Sequence, residues 1–324
     1  RTPRCCLSAK AGSRAALTAL AAKVKQLGGS YERFLERSFP RFYLLYSTFT
    51  RGIQALFSEA KEIRKIKSTM ARQRLSVQQL PYREMERLRQ VGDGPGAGES
   101  SWDVIKAIPI GVIAIPPFAN FLVIVLMYFF PRQLLIRYFW TPKQQVEFLD
   151  AYDSIRRDLY PEVLDSLALA ALSLPDPQLQ RRLQQLCATV QGGSQPRVAE
   201  LCAVRSLFSG SPLALSRLRV SHVRALSQVL FLTPYLPAAL LRHRLRSHVL
   251  EIRHLDRAML RLGLGQLSEE ELRAACYLRG LNSAHLGMAE CRAWLEQWLR
   301  LSCQLEASEA SLLANSMVLL SLNY

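Results

Sequence analysis

Residues Ile108 to Phe130, IPIGVIAIPPFANFLVIVLMYFF, form a run of 23 positions without a formal charge. At 1.5 Å per residue such a run is long enough to cross a hydrocarbon core of roughly 30 Å, so it predicts a membrane segment. The run is not a uniform helix former, because it contains Pro109, Gly111, Pro116 and Pro117. Two consecutive prolines remove two backbone donors and force a kink or a break. Phe118 to Phe130 alone would make about 20 Å of helix, too short to cross. The first reading is therefore a single kinked span, and a re-entrant or interfacial hairpin is the second. Asn120 is the only amide side chain within it. A polar group at that depth either marks a functional site or makes a helix-packing contact.

Charge is unevenly placed around this run. Of the 42 Lys and Arg residues 20 precede it, but only 9 of the 26 acids do. A basic excess of this kind suits anionic lipid or nucleic acid and says nothing about fold. Immediately after the run, Phe130 and Pro131 open a belt in which Tyr138 and Trp140 stand beside Arg132 and Arg137, residue types suited to headgroup depth. Basic residues near the two ends are too balanced to set an orientation.

The chain begins RTPRCCLSAKAGSRAALTALAAKVKQLGGSY, with no acid before Glu32. Segment 1–33 fits the remnant of a mitochondrial transit peptide better than a secretory signal, and an ordinary basic terminus is the plain alternative. In segment 34–90, Phe42, Tyr46, Phe49, Ile53, Leu56 and Phe57 recur at helical steps among arginines. Such amphipathic aromatic and basic helices lie in a membrane interface or pack on a neighbour, and the pattern leaves both open. Pro81 is expected to break the helix that follows Met70. Segment 91–101, VGDGPGAGESS, reads as a Gly-rich hinge. The membrane segment with its belt occupies 104–140.

From residue 141 to 324 the pattern is helix, short loop, helix. Breaks are expected at Pro161, Pro175 and Pro177, Gly192 to Pro196, Ser209 to Pro212, Pro234 and Pro237, Gly263 and Gly265, and around Gly280. No alternating β-branched run of strand length occurs, so the fold class is all-α, one kinked transmembrane helix followed by a helical domain.

The most informative helix runs from Pro237 to Leu262. At 100° per residue, Leu241, Leu245, Val249, Ile252, Leu255, Met259 and Leu262 share one face. Arg242, Arg246, Arg253, Arg257 and Arg261 share another, within about 100° of arc, and neither Glu251 nor Asp256 projects into it. A row of like charges gains from a polyanionic partner, such as RNA phosphate or anionic membrane lipid. A solvated helix face is the plain alternative.

Other chemistry finds little footing. His243 and His254 share a face about 16 Å apart and His248 points elsewhere, so no metal is expected. The seven cysteines include no CxxC pair, which is neither a disulfide framework nor a zinc pattern. There is no GxSxG, P-loop, HExxH or calcium-loop motif. An enzyme is not expected, nor is a cofactor.

In the C-terminal segment, Ser268 and Glu271 are spaced as a capping box. Cys276, Leu281, Leu286, Leu295 and Trp298 are placed to build a small helical pair around a turn at Gly280 and Asn282. Glu269, Glu270 and Glu271 crowd its first turn, where a phosphate would otherwise approach, so no DNA is expected there.

These residues carry a resemblance to the LETM-domain family. Leu267, Glu271, Leu272, Ala275, Cys276, Arg279, Gly280, Leu295, Trp298 and Leu299 match the family's ending L…EL..AC..RG…L..WL. Leu183, Leu186 and Cys187 resemble its L..LC element, and Pro117-Phe118 with Phe130-Pro131 resembles its PF…FP membrane segment. The likeness runs from about Tyr43 and is nearest to the family's shorter, single-pass members. It implies a mitochondrial inner-membrane protein whose helical domain binds the mitochondrial ribosome and supports mitochondrial structure and respiratory function. Alternatives are a subunit of a cation transporter, in which one span per chain demands a homo-oligomer, and a protein-binding regulatory adaptor. The longer members' coiled coils and calcium-binding loop have no counterpart in these residues. Asn120 also stands where those members carry an acid, whereas a proton-coupled antiport needs a titratable group.

Overall fold

A computed structural model describes residues 58–90 and 142–323, together with the single position Arg37. Segment 1–33, the aromatic run before residue 58, the hinge 91–101 and the stretch 104–140 lie outside the described residues. With them lie Pro116, Pro117, Phe118, Asn120, Phe130 and Pro131. All regular structure among the described residues is helical. No helix among them is long and apolar enough to cross a membrane.

The helices are α1 (58–73), α2 (Tyr82–Gln90), α3 (Pro142–Ala171), α4 (Pro177–Gln191), α5 (Val198–Ala203), α6 (Val220–Val229), α7 (Ala238–Leu262), α8 (Glu269–Leu278), α9 (Met288–Ser302) and α10 (Ala310–Leu319). α7 is the axis of the assembly: α2, α6, α9 and α10 all pack on it. α3 packs on α4 and α6, and α8 packs on α9.

Local sequence explains most boundaries. Asp176 caps α4 by accepting from the Gln178 N–H at 2.8 Å, and Pro177 at the first helical position loses a donor that would be unpaired anyway. Ser268 and Glu271 form the reciprocal capping box of α8: the Ser268 Oγ accepts from the Glu271 N–H at 3.2 Å, and a Glu271 carboxylate oxygen accepts from the Ser268 N–H at 2.9 Å. Before α2, the chain leaves the helix at residue 73 and re-enters at Tyr82, so Pro81 does sit at the break. At Pro161 the expected break is absent, and α3 runs through it. Pro161 is exposed, on a side of the helix where a lost intrahelical bond is open to water.

α10 is predominantly apolar with no exposed polar face, and all ten of its residues are buried. A helix of that kind belongs at the centre of a body. Two of its polar side chains find partners: Asn315 bonds His222 Nε2 at 2.8 Å and donates to the Ser311 carbonyl at 2.8 Å, and the Ser316 hydroxyl donates to the Leu312 carbonyl at 2.8 Å, while the buried Ser311 hydroxyl has no hydrogen-bond partner among the described residues. Gly280 is required where α8 turns back over α10. Its φ is +103°, and a Cβ there would lie 2.8 Å from the Met317 carbonyl oxygen.

α2 precedes the uncharged run in the chain, yet it belongs to this core. Tyr82, Met85 and Leu88 of α2, and Leu80 just before it, are all buried within that core. At about 1.5–3 kcal/mol for each apolar side chain removed from water, their burial outweighs any surface pair on the same helix. Nine residues would not hold a helix alone. Burial also pushes the Tyr82 hydroxyl above its ordinary range, with a further contribution from Glu86.

Candidate anion-binding face

α7 opens at Pro237, whose extended backbone sets the entry, and closes at Gly263, where φ is +86° and the N–H donates to the Met259 carbonyl. Leu241, Leu245, Val249, Ile252, Leu255 and Met259 are fully buried along one side, and Leu262 packs partly against the same core. That burial fixes the rotation of the helix and therefore which way its arginines point.

The five arginines separate into two groups. Arg253 is buried, and its Nε and Nη2 donate to the Leu305 carbonyl oxygen at 2.8 and 2.5 Å. Arg242 is half-buried and donates from Nη2 to the Leu218 carbonyl at 2.9 Å. Both hold loops onto α7. Arg246, Arg257 and Arg261 are exposed, within about 60° of arc and about 22 Å along the axis by helical geometry. Arg261 makes a long bond, 3.4 Å, to the Arg257 carbonyl of its own helix. Among the described residues no carboxylate comes within ion-pair distance of Arg246, Arg257 or Arg261. His254 lies beside the row. Burial lowers its pKa, and the positive charges of Arg253 and Arg257 lower it further, which marks the face as electropositive.

The two acids of α7 point into the fold. Glu251 faces Arg89 of α2 at 3.8 Å. Asp256 is completely buried and accepts from Arg279 Nε at 2.7 Å and from Trp298 Nε1 at 2.9 Å, with the Ser302 hydroxyl also bonded to it. Arg279 in turn donates to the Ala275 carbonyl at 2.6 Å. Asp256 therefore collects residues from α7, the end of α8 and α9 at one point. Arg279 and Trp298 stand out in the sequence as motif residues, but Asp256 carries no signal beyond being an acid outside the arginine arc. Arg156 of α3 was likewise not apparent. It is buried, donates to the Val229 and Tyr277 carbonyls at 3.0 and 3.1 Å, and lies over the rings of Phe231 and Tyr277.

Several histidines and cysteines among the described residues are buried in the fold. His248 is buried, and its pKa is pushed down to about 3 by burial and by Arg89, Arg244 and Arg156. His243 is exposed on the surface of α7. Cys187 and Cys276 are buried thiols, pushed up to about 11 and about 12 by burial. A groove of about 360 Å³ opens past the last turn of α7, lined by Leu260, Leu264, Leu299 and Cys303. Burial pushes the Cys303 thiol up to about 11 as well, so the thiolate that nucleophilic chemistry needs is suppressed.

Comparison with known sequences agrees with this architecture. The family described as LETM1-like, RBD matches residues 80–319, from just before α2 to the end of α10. A protein of Xenopus tropicalis called LETM1 domain-containing protein 1 is 54% identical over 320 residues, covering 99% of this chain and 89% of its own length. The Homo sapiens protein of the same name is 47% identical over 324 residues, covering 100% of this chain and 88% of its own. A Drosophila melanogaster protein called mitochondrial proton/calcium exchanger protein is 24% identical over 222 residues, covering 68% of this chain and 22% of its own. No solved structure matches. With the family pattern spanning α2 to α10 and near-full-length relatives at about half identity, the chain belongs to the LETM1-like, RBD family.

Proposed function

We propose that this chain is a non-enzymatic anchor in the mitochondrial inner membrane, held by Ile108 to Phe130, whose helical domain binds the mitochondrial ribosome. In this role it supports mitochondrial structure and respiratory function. The observation that carries the reading is the row of Arg246, Arg257 and Arg261, exposed on one helix with no carboxylate of the described residues within ion-pair distance. Arginine is suited to phosphate because its planar fork donates two parallel hydrogen bonds and stays charged at any physiological pH. Three such groups on one straight face match a polyanionic backbone better than a single point ligand. The family's name, which contains RBD, and relatives named as mitochondrial proteins point the same way. Arg253 and Arg242 support the row from beneath by fixing the loops around α7, as their carbonyl partners indicate. Anionic lipid is the other polyanion within reach of a membrane-tethered domain.

The test is co-sedimentation of the full chain with mitochondrial ribosomes across a salt series. Three phosphate contacts to single-stranded RNA predict a log–log salt slope of about −2. Changing Arg246, Arg257 and Arg261 together to Glu is expected to abolish co-sedimentation while leaving the melting temperature nearly unchanged. Sedimentation that is indifferent to both salt and the triple change would sink the proposal.

A further inference from the structure

The parts of the chain on either side of the uncharged run share one core. α2 ends at Gln90 and α3 begins at Pro142, so the run and its flanks lie between them in the chain. Tyr82, Met85 and Leu88 of α2, with Ile63 and Ile66 of α1, are buried in the same cluster as Leu245, Ile252 and Leu272 of the later domain. Polar contacts lock the same junction. Arg83 donates from Nε to a Glu271 carboxylate oxygen at 2.9 Å and from Nη2 to the Gln266 carbonyl at 2.8 Å. Helices packed in one core occupy one aqueous compartment, because a hydrocarbon layer of roughly 30 Å would otherwise stand between them.

From this shared core we propose that the segment before the uncharged run and the helical domain after it lie on the same side of the membrane. The uncharged run then joins two parts of the chain that face one compartment, with no net crossing between them. Sequence arithmetic agrees. Ile108 to Ile115 is eight residues, about 12 Å of helix, and Phe118 to Phe130 is thirteen, about 20 Å. Neither arm alone crosses roughly 30 Å. The pair Pro116-Pro117 falls between them, where a chain that turns back cannot continue one helix. This inference rests on the anchoring part of the proposed function and is independent of ribosome binding.

The experiment maps both flanks of the run in full-length chain in mitochondria. A site-specific protease sequence is inserted after Arg74, exposed between α1 and α2, and in a second chain after Gly193, exposed between α4 and α5. Protease is supplied either within the matrix or from outside to organelles stripped of their outer membrane. Both sites are expected to be cut from the same compartment; cutting of the two sites from opposite compartments overturns the proposal. A second measurement avoids insertions. In chain carrying Arg83→Cys and Glu271→Cys, a short bismaleimide is expected to cross-link the two positions in intact organelles. An absent cross-link overturns the shared core on which the topology depends. Release of the chain by alkaline extraction overturns both the topology and the anchor, whereas loss of ribosome co-sedimentation alone leaves the topology standing.

Discussion

Arg253 and Arg257 stand one turn apart on the same face of α7, and Asp256 lies between them in sequence on the flank that faces the core. The three charges meet very different surroundings. Asp256 is sealed in and answered by Arg279, Trp298 and Ser302. Arg253 is covered by the chain after α9 and spends its donors on the Leu305 carbonyl. Arg257 reaches water. A buried charge must be paired by the fold and becomes part of it, while an exposed one is left available for a partner. One helix therefore serves as the structural axis on one flank and as the candidate recognition surface on the other.

This contrast is open to direct attack, beginning where the effect is largest. Asp256→Ala leaves Arg279 charged and unpaired in the core and is expected to destabilise the chain by about 3–5 kcal/mol, read by denaturant unfolding. A cost near that of a surface substitution would mean the network is not structural. Arg253→Ala removes charge-assisted bonds to a carbonyl and is expected to cost about 1.5–3 kcal/mol in the same measurement. Gly280→Ala imposes a side chain at φ +103° against the Met317 carbonyl, for an expected loss of about 1–3 kcal/mol.

Acid should act on the core before it acts on the arginine row. Burial lowers the pKa of His222 to about 4, opposed by its bond to Asn315, and that of His248 to about 3. Between those values and the ordinary histidine pKa of 6.5, the unfolded chain binds more protons than the folded one. The stability contributed by keeping these rings neutral is therefore fully present above pH 6.5. It is lost as pH falls toward 4, at up to about 1.4 kcal/mol per pH unit for each histidine. Melting temperature against pH should decline over that window, and His222→Gln should flatten part of the decline. The smallest stability effect belongs to Arg257→Ala, expected within about 0.5 kcal/mol of the parent. If it costs as much as Arg253→Ala, the division of α7 into a structural and an available set fails.

Much of the helical domain could be read from residue order. The buried side of α7, the capping box of α8 and the turn at Gly280 each depend on residues within a turn or two of one another. Local periodicity and capping chemistry are enough to identify them. Pro161 misled because a proline's effect depends on whether its helix face meets water or packed neighbours, and sequence spacing alone does not say which. The arginine row was visible as a 100° pattern, but its division was not, since Arg253 is covered by Leu305, more than 50 positions away along the chain.

What the amino-acid order determined by itself was the all-helical class, the uncharged run and the face of α7 that carries arginine. All three follow from hydropathy and periodicity, which are properties of neighbouring residues. What only tertiary structure decided was which charges are spent inside and which remain outside, and that α2 joins a core built by helices more than 50 residues later. Both depend on contacts between distant segments, where desolvation selects the partner and no local pattern records the choice.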